Sequence, residues 1–175
     1  IEYYKGIFTI LSSCASRQLE EVTFRRTVIP VQELLDTAGK YFKKSMKNRS
    51  ERIELEIEPM EAKVIGDVNQ LRFLLENLID EALTVREDGL IRLQARQDNE
   101  YIRFLFTDTR REKSVEELNQ LFYPNLARMT SGEKGELRGT EYLVCKQIIR
   151  DHDEFAGRRG CRINAEPAEG GGFTV

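Results

Sequence analysis

The chain has 175 residues, 40% of them apolar and 33% charged, enough for one domain with a sizeable core. Its 27 Lys and Arg nearly balance 30 Asp and Glu, for a net charge of -3, which excludes an overall basic field for nucleic acid or an anionic membrane. No run of 18 apolar residues is present, so no part of the chain is expected to span or contact a membrane.

Cys14, Cys145 and Cys161 are scattered, and His152 is the only histidine, so neither a disulfide framework nor a zinc site is outlined. Reduced thiols in the cytoplasm are the economical expectation. The chain opens inside a helical pattern and closes on an apparent strand. It therefore reads as a piece of a longer, cytoplasmic or membrane-anchored protein whose sensor part lies outside it.

Tyr4, Phe8, Leu11, Ala15 and Val22 recur at spacings of about 3.5, the seam of a helix packed on another helix. Residues 1–21 are either part of a dimerising stem, which would make a homodimer, or a terminal helix docked on its own domain. Residues 22–29 are β-branched and read as a strand, with Pro30 set to start the next helix. Val31, Leu34, Leu35, Ala38 and Phe42 mark one face of that helix, over 31–47. Residues 52–58 alternate Ile53, Leu55 and Ile57 with glutamates, a half-buried strand, and 63–65 form a shorter one.

The strongest helical signal covers 67–86, where Leu71, Leu74, Leu75, Leu78, Ala82 and Val85 share one stripe and Asp67 is the expected cap. Asn77 and Glu81, four residues apart, lie one turn above each other beside that stripe. They are either oxygen ligands for a magnesium-nucleotide or the polar shoulder of a core helix. Strands are expected over 90–96 and 101–108, joined by a loop of hairpin length. Period-two counting places Asp108 on the face of Ile102, Phe104 and Phe106, where an acid needs a donor. Asp108 either accepts from a ligand amine or caps the following turn.

Ser114 and Glu117 form a capping box that opens a short helix over 114–122. Residues 123–138 lose periodicity and collect glycine and proline, the composition of a lid. Helical spacing returns over 139–151, and 161–165 with 172–175 read as closing strands in a hairpin. This order of elements predicts an α+β, two-layer α/β sandwich with a mixed, mostly antiparallel sheet and helices on one face, plus the N-terminal helix.

Four ordered blocks then resemble a known family. GDVNQLRFLLENLIDEAL, FTDTRREKSVEELNQLFYPN, GTEYLVCKQIIRDH and GGGFTV are similar to the N-box, the segment from adenine aspartate to F-box, the helix after the second glycine box and the terminal strand of sensor histidine kinase catalytic domains. That family shares its Bergerat fold with gyrase, the Hsp90 chaperones and MutL. The resemblance runs from Val28 to the end, within a domain taken as 22–175 and cut short at its C-terminus. It implies ATP and Mg2+ as cofactors, Asp108 as acceptor for the adenine amino group, Asn77 and Glu81 as nucleotide and metal contacts, Gly139 in the phosphate loop, and Phe122 and Pro124 in the F-box. It also implies a response regulator as partner, and a phosphoacceptor histidine upstream of this chain. His152 is expected instead as a surface residue favoured by a helix end.

The departures lie in one pocket. Glu81 stands where the family has a metal-binding asparagine, and Thr84 where it often has a basic residue. Arg110 and Arg111 stand at glycine positions of the first glycine box, where the backbone passes close to the nucleotide. The second glycine box keeps only Gly139 among Leu137, Gly139 and Glu141. These losses predict a degenerate relative that keeps the fold, is impaired in ATP binding and acts through domain or partner contacts. The alternative is an active phosphotransfer domain in which Arg110, Arg111, Lys134 or Arg138 supply phosphate charge. For each of these four, a solvated side chain is the simpler expectation.

Overall fold

The computed structural model describes residues 24–124 and 140–175. The expected stem helix, most of the lid, Lys134, Leu137, Arg138 and Gly139 lie outside the described residues. Among the described residues there are two sheets. In the smaller, β1 (Thr27–Pro30) pairs antiparallel with β3 (Lys63–Gly66). The larger has five strands in the order β2 (Ile53–Ile57), β4 (Gly89–Asp98), β5 (Tyr101–Asp108), β7 (Phe173–Thr174) and β6 (Glu166–Pro167).

Alternation along β4 and β5 sets the layer. Ile91, Leu93, Ala95 and Phe106 point into the core, with Leu93 opposite Phe106 in the antiparallel register. Asn99 turns the β4–β5 hairpin at φ 56°, a left-handed value that asparagine tolerates. The parallel pairing of β2 with β4 makes the sheet mixed.

Three helices supply the other layer: α1 (Val31–Ser45), α2 (Val68–Ala82) and α4 (Glu141–Phe155). The buried face of α1 is the one that helical spacing marks, with Leu34, Leu35 and Ala38, and α2 buries Leu74, Leu75 and Leu78 of its marked stripe together with Ile79. α4 instead buries Tyr142, Cys145 and Ile148, so of the spacing expected through Leu143, Val144, Gln147 and Ile148 only Ile148 lies in the core. Each large aliphatic side chain so buried contributes about 1.5–3 kcal/mol of transfer free energy. The sandwich expected from the sequence is the sandwich observed.

Several boundaries differ. Pro30 ends β1 as well as preceding α1. The central helix stops at Ala82, because Thr84 and Val85 donate to Glu81 and Ala82 in tighter turns and the Thr84 hydroxyl also takes the Glu81 carbonyl. The capping box at Ser114 is present, but the helix it opens, α3 (Val115–Asn119), is a single turn and a half that continues as a turn. Residues 161–165 form no strand, since the N–H groups of Gly160 and Cys161 are drawn to Asp153 Oδ1. The closing hairpin uses β6 instead, and Pro167 is accommodated there because β6 lies at the sheet edge.

Candidate functional site

The N-terminus of α2 is fixed first. Asp67 Oδ1 accepts from the backbone of Asn69 and Gln70, and its Oδ2 accepts from Arg25 N–H at 2.9 Å. The Asp67 N–H donates to Nε2 of His152 at 3.1 Å, while Nδ1 of that ring faces the Ile148 carbonyl at 2.8 Å. An amide can only donate, so the imidazole is neutral with its proton on Nδ1. His152 is 4% exposed, and burial holds its pKa below the usual histidine range. The expectation of a surface histidine is therefore corrected. Its ring packs edge-on against Phe24 and lies so close to Gly66 that a Cβ there would sit 2.7 Å from Nε2. Helical periodicity missed it because a histidine's role as an interhelix pin depends on Asp67, 85 residues away.

At the other end of α2 lies Asp108, the last residue of β5, placed opposite Ile91 by the hairpin register. Both readings of its carboxylate have a counterpart. Oδ1 accepts from the Arg110 backbone N–H at 3.0 Å, the side-chain-capped turn, and the same oxygen takes Arg110 Nε at 2.9 Å. Oδ2 takes Nη2 at 2.8 Å. Where the resemblance implies an adenine amino group, Asp108 holds the guanidinium of its own neighbour.

Arg110 is not solvated, and this corrects the simpler expectation for it. Its side chain is 1% exposed beside an Asp108 side chain at 4%. Besides the carboxylate it reaches the carbonyls of Val85 at 2.9 Å, Glu87 at 3.1 Å and Ala82 at 2.5 Å. A guanidinium has five N–H donors, and these contacts use all of them. None is left for a phosphate. The carbonyls belong to the C-terminal end of α2 and the segment after it, where unpaired acceptors and the helix dipole favour a cation. Gly89, at φ +147°, gives the stem its path, for a Cβ there would lie 2.5 Å from Arg110 Cγ. No sequence motif announces these partners, since Ala82, Val85 and Glu87 precede Arg110 by more than twenty positions; the i to i+2 spacing of Asp108 and Arg110 was the one readable hint.

The remaining positions divide. Asn77 is buried, and its amide donates back to the Phe73 carbonyl at 2.7 Å, within its own helix. Glu81 is half-buried one turn further on, next to the Ala82 carbonyl that Arg110 engages. Asp108 and the N-box end of α2 are thus on one side of the molecule, joined through Arg110. Arg111 is a solvated side chain paired with Glu87 at 2.8 Å. Among the described residues, no group of three or more His, Cys, Asp and Glu is placed to hold a metal ion. A cavity of about 410 Å3 lies between α2 and the sheet, lined by Leu71, Leu74, Phe104, Ile163 and Val175 among others. Among the described residues, the expected nucleotide contacts Asn77, Glu81 and Asp108 do not line it. No helix among the described residues is long and apolar enough to cross a membrane.

Three helices on a mixed sheet, with an aspartate at the last position of β5 beside the C-terminus of an N-box-like helix, define a Bergerat-type ATPase fold. The chain belongs to the family described as Histidine kinase-, DNA gyrase B-, and HSP90-like ATPase, whose model matches residues 66–175. Among solved structures it is similar to the histidine kinase AdeS of Acinetobacter baumannii, at 14% identity and TM-score 0.64 over 99% of this chain and 76% of that one. It is similar also to the catalytic domain of the histidine kinase ThkA, at 20% identity and TM-score 0.65 over 86% and 92%. The mycobacterial sensor histidine kinase MprB aligns at 18% identity and TM-score 0.64 over 86% and 93%. Comparison with curated proteins gave no match.

Proposed function

We propose that the chain is the histidine-kinase-like ATPase domain of a bacterial two-component signalling protein, impaired in ordinary ATP binding and acting through contacts with other domains or partners. One observation carries this reading: Arg110 lies on both oxygens of Asp108 and spends all five donors inside the protein. An adenine can reach that carboxylate only by displacing a buried ion pair. Glu81 adds a second difficulty, because its negative charge stands near where the family places the metal.

The active alternative needs arginine charge available to phosphates, and Arg110 directs its donors to Asp108 and three carbonyls. Homodimerisation through residues 1–21 and recognition of a response regulator belong to this proposal. Their support is the helix-pairing pattern of that segment and the structure of ThkA in complex with the response regulator protein TrrA. A cytoplasmic setting follows from the same reading. The test is calorimetry and thermal melting with ATP and ADP, with and without Mg2+. The expected result is no saturable heat and no shift in melting temperature, since only a ligand that binds the native state raises its stability. A Mg2+-dependent shift with ATP would establish the phosphotransfer domain instead.

A further inference from the structure

We propose that the Asp108 pocket has become a guanidinium site, with Arg110 as its resident ligand. This deepens the preceding reading and rests on it, in that the pocket is taken to be closed to nucleotide by a ligand of different chemistry. Among the described residues its lining is mostly acceptors. Two carboxylate oxygens of Asp108 and the carbonyls of Ala82, Val85 and Glu87 converge on one planar cation, and the Val85 backbone N–H also donates to the Ala82 carbonyl at 3.2 Å. Acceptors arranged as a forked carboxylate plus three carbonyls match a five-donor plane.

Adenine is a poor match, because it brings two amino N–H donors on one edge and presents ring nitrogens as acceptors elsewhere. Against five acceptor oxygens it therefore offers two donors. A lysine-type ammonium is also a poor match, being a compact charge with three donors that cannot fork. The groove for the stem is built as well, since the backbone at Gly89 leaves the space that the Arg110 methylenes fill. The site takes a substituted guanidinium whose single alkyl arm runs over Gly89.

Arg110→Ala removes a fragment equivalent to ethylguanidinium, which is the probe. In the variant, ethylguanidinium chloride should raise the melting temperature saturably, by roughly 3–6 °C at a tenfold excess over its Kd. The wild-type protein in the same additive should show no rise, and ethylammonium, adenosine and Mg-ATP should not stabilise the variant. Stabilisation by adenosine or Mg-ATP without any by ethylguanidinium would show a purine pocket under a plug and overturn the proposal, while leaving the wild-type reading intact. Equal effects of ethylammonium and ethylguanidinium would also overturn it. Mg-ATP binding to the wild type would instead defeat the reading beneath. Should Arg110→Ala fail to fold, Arg110→Lys decides: it keeps stem and charge but not the fork, and a melting temperature equal to wild type would overturn the proposal.

Discussion

Asp108→Ala separates a structural ion pair from a waiting ligand contact. In a pocket kept open for nucleotide, the aspartate is solvated without ligand, and its removal leaves the empty protein about as stable as before. Here the carboxylate is one half of a buried pair, with both side chains almost fully enclosed. Removing it strands a guanidinium that still faces three carbonyls but has lost its counter-charge and two of five bonds. Breaking a buried pair by deleting one partner costs about 3–5 kcal/mol. For a chain of this length that corresponds to a fall in melting temperature of roughly 6–20 °C. Urea unfolding followed by circular dichroism measures it, best within a cycle of Asp108→Ala, Arg110→Met and the double variant. The double variant should be less destabilised than the sum of the singles, because the second change removes the stranded charge. A loss under about 1 kcal/mol for Asp108→Ala, or strict additivity, would refute the structural role of the pair.

Three further outcomes follow from the α2 frame. His152 is neutral in the fold and burial lowers its pKa, so its contribution is complete above about pH 6.5 and is lost as pH falls below it. Urea midpoints between pH 7 and 5 should therefore fall more steeply for the wild type than for His152→Gln; parallel curves would count against a buried neutral imidazole. Gly66→Ala places a Cβ 2.7 Å from His152 Nε2 and 3.0 Å from Leu71 Cδ1, an overpacking expected to cost about 1–3 kcal/mol in the same assay. Tyr41 donates to Asp80 at 2.6 Å, and burial, then Asp80, pushes its pKa up to about 12. Its contribution holds below the ordinary tyrosine range and disappears as pH rises through about 12, so Tyr41→Phe should remove one late-ionising phenol from an ultraviolet titration.

The layers were legible because they rest on periodicity. Leu74, Leu75 and Leu78 repeat at helical spacing and are buried together, and Leu93 and Phe106 alternate and meet in register. What period cannot carry is the identity of a long-range polar partner. Asp108 was recognised as needing a donor, yet both its alternatives left out a side chain two residues away. Charge alone made Arg110 a surface residue, and only the folded course of the segment after α2, brought past β5 by the parallel β2–β4 pairing, places three carbonyls around it. His152 was misplaced for the same reason: a helix-end position favours a solvated cation, but the approach of Gly66 and Phe24 buries the ring as a neutral acceptor. The hairpin at the end of the chain shows a smaller version, where Asp153 takes the amides that a strand over 161–165 would have used.

One arginine answers two needs that a ligand or water must otherwise meet. The C-terminal carbonyls of a helix lack intrahelical partners, and a carboxylate at the end of a buried strand lacks a counter-charge. Arg110 joins the two, tying Ala82, Val85 and Glu87 to Asp108 without any bound molecule. A guanidinium held in this way stabilises the empty protein, so its loss is not neutral. Substituting glycine at 110 would open the pocket while leaving five acceptor oxygens of which an adenine amino group can satisfy at most two. Glu81 would still stand where the resemblance implies a metal contact, and Arg111 would still pair with Glu87. On the proposed reading, recovery of nucleotide binding requires change at Glu81 as well as at Arg110, because the two oppose the ligand through different forces: repulsion and occupancy.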